Sequence, residues 1–213
     1  MHIPLFPLGT VLFPGGVLPL QIFEVRYLDM MQRCQREGTP FGVVTLQQGH
    51  EVQRRDPQGG EAYAQESFLP VGTLAHLTEV VQPQPGLLRI VCTGGERFRV
   101  LTCEKLKHGL WVAEVQTLPS DQAVPVPPEL QGMGTALRQL HARLQADHPG
   151  QLAPLPPDSD VGSPWQDAGW LAHRWAELLP LPAETKQRLL TLDSPLLRLE
   201  LVGDALDQLG VPH

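Results

Sequence analysis

At 213 residues the chain is long enough for one large domain or two small ones with a buried core, and too short for a multi-module machine. Its composition, 42% hydrophobic and 18% charged, is that of a folded globular protein and excludes a disordered, collagen-like or membrane-spanning chain. A formal net charge of -7, with three lysines (Lys105, Lys107, Lys186) beside 13 arginines, argues against broad phosphate binding, which rests on neutralising phosphates with Lys and Arg.

The first 23 residues carry no Asp, Glu, Lys or Arg, but Pro4, Pro7, Pro14 and Pro19 with Gly9, Gly15 and Gly16 would break any helical leader. No later stretch reaches 18 uncharged apolar residues, so no membrane span is expected. The opening reads as strands at 3–8, 11–13 and 17–23, punctuated by Pro and Gly. The period then changes: over 24–37, Tyr27, Met30, Met31 and Cys34 recur at helical spacing, and Gly38 follows as a C′ residue. Residues 41–46 return to strand, and the polar, glycine-containing stretch 47–66 reads as an exposed hairpin or loop.

Four β-rich runs follow, at 68–81, 87–93, 97–106 and 110–118. Turns are expected at Pro83-Pro85-Gly86, at Gly94-Gly95-Glu96 and at Lys107-His108-Gly109. Several short strands joined by tight turns argue for a small antiparallel β-barrel carrying one helix, since closure removes open sheet edges. The proline-rich stretch 119–128 marks a boundary, giving units 1–119 and 120–213.

Beyond it, Leu130, Met133, Leu137, Leu140 and Leu144 form a helical stripe. Ser163-Pro164-Trp165-Gln166 has the signature of a helix start, with Trp165, Ala168, Ala172, Trp175 and Leu179 along one side. A short helix over 183–192 and a last one capped by Ser194-Pro195 complete a C-terminal helical bundle, so the fold class is α+β. The first unit holds ten Lys/Arg and eleven Asp/Glu, the second six and twelve, so the acidity belongs to the bundle.

Chemistry is sparse. Gly-Lys dipeptides and the Gly-x-Ser-x-Gly elbow are absent, which removes the P-loop and hydrolase signatures, and Lys186 and Ser194 read as helix-edge residues. His141 and His148 are seven residues apart, about 10.5 Å on a helix, too far to share a metal. Cys34, Cys92 and Cys103 are odd in number and form no Cys-x-x-Cys pair, which fits a reducing cytoplasm. Cys92 and Cys103 bracket an expected hairpin and read as small hydrophobes. No catalytic, cofactor-binding or metal-binding residue is therefore expected. Arg89, Arg97 and Arg99 form a local basic cluster, with Phe98 inward and its two flanking arginines outward. Trp170 lies off the main stripe and is the tryptophan expected to be exposed; these four residues are the candidates for contact with a partner.

The opening block, with Pro4, Phe6 and Pro7, then Phe13-Pro14-Gly15 and Glu24, Arg26 and Tyr27, resembles the start of the N-terminal substrate-binding domain of Lon proteases. Gly72-Thr73, Arg97-Phe98-Arg99-Val100 and Leu178-Leu179-Pro180-Leu181-Pro182 match further segments in the same order. The resemblance implies a PUA-like β-barrel followed by a helical bundle, with these motif residues structural, Glu24, Arg26 and Tyr27 fixing a strand-to-helix junction. It also implies a stand-alone protein without the ATPase and Ser-Lys peptidase modules, hence no proteolysis by this chain. The function expected is a non-enzymatic module that binds unfolded or partner polypeptide. RNA binding through the basic cluster is the alternative, and a small-ligand pocket or minor enzyme is third.

Overall fold

The computed structural model describes residues 1–49, 66–147, 152, 155–157 and 163–212. The hairpin or loop expected over 47–66 lies outside these residues except at its ends. The chain divides into two compact units, Met1–Pro119 and Ser120–His213.

The first unit holds strands β1 (His2–Leu8), β2 (Val17–Ile22), β3 (Phe41–Gln48), β4 (Ser67–Gln84), β5 (Leu87–Lys105) and β6 (Trp111–Thr117), with helix α1 (Val25–Glu37) between β2 and β3. Strand order is β2-β5-β4-β3-β1-β6, and β6 also pairs with β5. The first half of β5 carries β2, from Leu88 to Thr93, and its second half carries β6, from Phe98 to Lys105. Hydrogen bonding therefore runs round through β5, β4, β3, β1 and β6 and back to β5, with β2 added beside the ring.

The sheet is not purely antiparallel as expected, because β1 and β3 pair in parallel, Leu5 opposite Gly42 and Leu8 opposite Thr45. A tight turn cannot join parallel neighbours, and here β2 and α1 form the long crossover. Alternation along β1 sends Ile3 and Leu5 into one apolar cluster with Phe98, Leu74 and Val115. Phe6 and Leu8 enter a second, larger cluster with Tyr27, Met30, Met31 and Cys34 of α1. The helix ends as its sequence implies, at Gly38 with φ 64 and its N–H on the Cys34 carbonyl.

Two expectations about glycines and strands are corrected. Residues 11–13 are buried but are not a strand, and Gly94-Gly95-Glu96 is not a turn, since β5 runs through it. Both departures have one cause. The segment carrying Phe13 lies directly on β5, with Gly15 N–H donating to the Gly94 carbonyl at 2.7 Å and Gly94 N–H to the Gly16 carbonyl at 2.8 Å. A Cβ at Gly94 would fall 2.1 Å from the Phe13 carbonyl oxygen, so glycine is needed for close backbone approach rather than for chain reversal. Thr73 Oγ1 donates to the Leu12 carbonyl at 2.6 Å and fixes the same segment from β4.

The second unit contains α2 (Gly132–Asp147), α3 (Ala168–Leu178), α4 (Ala183–Thr191) and α5 (Pro195–Gln208), with 3-10 turns at Pro128–Leu130 and Pro164–Gln166. Ser163 caps only the second 3-10 turn, and α3 starts later, where the Asp167 carboxylate accepts from Trp170 N–H at 2.7 Å. The stripe expected on α2 is buried at Met133 and Leu137 and half-buried at Leu130, Leu140 and Leu144. Ser194 caps α5 through Leu197 N–H. Arg198 of α5 is fully buried, donating to the carbonyls of Leu189 and Leu192 and to the Asp121 carboxylate. No helix among the described residues is long and apolar enough to cross a membrane.

Candidate functional site

Four motif residues of the opening block, Phe6, Glu24, Arg26 and Tyr27, meet at the N-terminus of α1. Glu24 is the N-cap of α1, Arg26 is buried behind it, and Tyr27 stacks against Phe6 with ring centroids 4.1 Å apart. The Arg26 guanidinium lies 4.4 Å from the Tyr27 ring centroid. It donates from Nη1 to the Gly109 carbonyl at 2.7 Å, and pairs through Nε with Glu24 at 3.3 Å and through Nη2 with Glu66 at 3.5 Å. Glu66 also accepts from Trp111 Nε1 at 2.9 Å and pairs with Lys105 at 3.0 Å. A buried carboxylate shared by two cations and an indole ties the β5–β6 turn and the start of β4 to the N-terminus of α1.

This tie walls a cavity of about 550 Å³ between α1, the start of β1 and the β5–β6 turn. Its apolar lining comes from Ile3 and Pro4, from Met30 and Cys34, and from Leu106 and Leu110. Asp29, Arg33, Glu37 and His108 stand among the lining and are exposed, so the mouth is polar and the interior apolar. Both the size and the character are those of a binding pocket.

Cys34 lines the pocket from α1, while Cys92 lies away from it on β5. Burial raises the Cys34 thiol, and burial pushes Cys92 up to about 12, so both are held as thiols rather than thiolates. Cys92 and Cys103 do not face each other: both lie on β5, one buried and one exposed. Among the described residues no three His, Cys, Asp or Glu side chains are grouped to hold a metal. Lys186 Nζ donates to the Glu177 carbonyl at 2.9 Å, while Ser194 is occupied as a cap.

The other motif residues are packing elements. Phe98 is fully buried over Gly42 and Gly72, where a Cβ on either glycine would meet its ring at 2.7 Å. Pro7 and Phe13 are buried, Pro14 is half-buried, and Gly15 takes φ 73. The basic cluster is not brought together. Arg97, expected to point outward, is buried, its backbone carbonyl accepting from Leu118 N–H and its Nη2 donating to the Pro119 carbonyl at 3.4 Å. Arg97, Phe98 and Arg99 pair in unbroken register with Thr73, Gly72 and Val71, so Arg97 keeps the face opposite Phe98 and meets the chain that leaves β6 at Leu118 and Pro119. Arg89 and Arg99 are exposed but ten residues apart on β5, up to about 33 Å along a strand. Trp170 is half-buried against Trp165 at 4.9 Å, and Arg138 lies 4.1 Å over the Trp165 ring.

Among the described residues of the second unit, Arg174, Glu177 and Lys186 form a cluster with shifted titration. Glu177 pairs with Arg174 at 3.0 Å, and burial pushes its carboxyl up to about 7 against the pull of Arg174 and Lys186. A carboxyl raised in the folded state favours folding below its unfolded value of 4.5, and that contribution is lost as pH rises to about 7. Urea unfolding between pH 4.5 and 7 should therefore show a falling contribution with pH that Glu177→Gln flattens. An identical slope in both proteins would refute the assignment.

Glu66, Lys105, Trp111, Leu106 and Leu110 were not legible as site residues, because each acquires its role from a partner far along the chain. Trp111 and Glu66, for instance, are separated by 45 positions.

The described residues form a mixed α+β fold with a six-stranded sheet and five α-helices, and the first unit carries a pocket with an apolar interior. The chain belongs to the family of the ATP-dependent protease La (LON) substrate-binding domain, whose model matches residues 2–208. It is 31% identical over 193 residues to the Lon protease of Phenylobacterium zucineum, covering 88% of this chain and 22% of that protein. With the Lon protease of Paraburkholderia phytofirmans it shares 31% over 199 residues, covering 92% and 23%. The chain thus spans less than a quarter of the length of these curated relatives. A solved Lon N-terminal domain protein from Xanthomonas campestris superposes with TM-score 0.68 at 29% identity, over 95% of this chain and 96% of that one. The N-terminal domain of the Mycobacterium avium complex Lon protease, at 17% identity and TM-score 0.57 over 96% and 97%, shares the fold.

Proposed function

We propose that this chain is a non-catalytic module that holds unfolded or partner polypeptide, seating a large apolar side chain of that polypeptide in the pocket between α1, β1 and the β5–β6 turn. The observation that carries the reading is the 550 Å³ pocket with an apolar interior and polar mouth, in a chain of the Lon substrate-binding family. On this reading the ring of paired strands acts as a small PUA-like barrel, residues 1–119 and 120–213 act as separate domains, and the protein works in the cytoplasm.

Full burial of one leucine- or phenylalanine-sized side chain contributes about 1.5–3 kcal/mol, or roughly ten- to a hundredfold in affinity. Two variants test this by fluorescence anisotropy with a panel of labelled unfolded peptides. Thr39→Trp fills the mouth from an exposed position, and Leu106→Asp puts charge on the wall. Each should weaken binding at least about tenfold. Retained affinity in both, or no binding across the panel by the parent chain, would overturn the reading. RNA binding has less support, because Arg97 is buried and Arg89 and Arg99 are separated.

A further inference from the structure

We infer that the outer face of α5 is a docking surface for a basic amphipathic helix. The inner side of this helix is spent on its own unit: Leu199, Val202 and Leu206 are fully buried. On the outer side Leu197 is 43% and Leu201 41% exposed, one turn apart, and Leu209 is 46% exposed just past the helix end. Leu197 and Leu201 share one face, and Leu209, just past the helix end, is turned about 120° from Leu197 at 3.6 residues per turn. Among the described residues, α2, α3 and α4 expose no large apolar side chain, so this stripe is peculiar to α5.

The charge beside the stripe decides what fits it. Glu200 and Asp204 are exposed next to the leucines, four residues apart, a like-charge spacing that is repulsive on a helix. The sole cation of α5, Arg198, is fully buried and bound to Asp121 and to the Leu189 and Leu192 carbonyls, so it offers no positive charge outward. A second copy of the chain in symmetric contact would set Glu200 and Asp204 against the same carboxylates. A helix with leucine-sized residues at three- and four-residue spacing, flanked by Lys or Arg, would bury the stripe and neutralise its rim.

The test uses the full chain and an 18-residue synthetic peptide with leucines on one helical face and lysines beside them, followed by fluorescence anisotropy at low and moderate salt. Two control peptides carry the same composition scrambled, or glutamate for lysine. The designed peptide should bind at least about tenfold tighter than either control and weaken as salt rises. The double variants L197S/L201S and E200K/D204K change exposed positions only, and each should lose about tenfold while keeping its circular dichroism spectrum and unfolding midpoint. Thr39→Trp should bind this peptide unchanged, which separates this surface from the pocket. Equal binding of the scrambled peptide, unchanged affinity in both double variants, or a dimer in sedimentation that L197S/L201S dissolves would each overturn the assignment.

Discussion

Replacing Arg198 by methionine should destabilise the Ser120–His213 unit by about 3–5 kcal/mol, the cost of breaking a buried charge pair from one side. The guanidinium is the second-largest fully buried side chain among the described residues, after Trp175, and it satisfies groups from three directions. Its Nε donates to the Leu189 carbonyl at 2.9 Å, its Nη2 reaches the Leu192 carbonyl, and both terminal nitrogens reach Asp121. Methionine matches much of the volume but leaves the end of α4 and the Asp121 carboxylate without these donors. His173 Nε2, 3.9 Å from Asp121, is too far to make a hydrogen bond in their place. Lysine restores the charge but not the planar fork, so Arg198→Lys should recover only part of the loss. Urea denaturation followed by far-ultraviolet circular dichroism would show a lower midpoint with the slope kept. A loss below about 1 kcal/mol would mean that the network contributes little to this unit.

The second large effect belongs to the other unit. Gly94→Ala should cost about 3–5 kcal/mol, combining overpacking with the loss of buried backbone hydrogen bonds. The added Cβ would stand 2.1 Å from the Phe13 carbonyl oxygen, and separating them breaks the bonds that Gly15 and Gly16 make with Gly94. Neither partner can yield by turning a side chain, since both are backbone. Gly95→Ala is the internal control: its Cβ would meet the ring of His76, an exposed side chain that can swing away. The alanine at 95 should therefore cost far less than the alanine at 94. Equal midpoints for the two variants in the same denaturation assay would contradict the close-approach account.

Local patterns carried much of the fold into the sequence. Tyr27, Met30, Met31 and Cys34 marked α1 because helical spacing and burial on one side are the same fact, and Gly38 marked its end because the left-handed φ there favours glycine. Gly94 and Gly95 misled because glycine serves turns and close backbone approach alike, and the neighbour that decides between them, Phe13, is remote in the chain. The parallel pairing of β1 with β3 was invisible for a related reason, since strand patterns record which face is buried but not which strand lies alongside. Arg97 was misplaced because alternation says which face a residue takes but not that the segment after β6, at Leu118 and Pro119, lies on it.

The candidate site was legible in only one part. Glu24, Arg26 and Tyr27 stood out through the family resemblance, and they lie at the entry to α1 beside the pocket. The remainder of the wall depends on Glu66, a carboxylate without a distinguishing local pattern until folding places Arg26, Lys105 and Trp111 around it. Leu106 and Leu110 look like ordinary strand-end leucines until folding sets them in one pocket with Met30 and Cys34 of α1.

The central claim is that the pocket beside α1 is where polypeptide is held. Its most direct test is photo-crosslinking of an unfolded model peptide carrying one benzoylphenylalanine, followed by peptide mapping. Crosslinks should fall on residues 29–39 and on the Leu106 to Leu110 turn, and should disappear in Thr39→Trp. Crosslinks spread over the surface, or an unchanged pattern in Thr39→Trp, would contradict it.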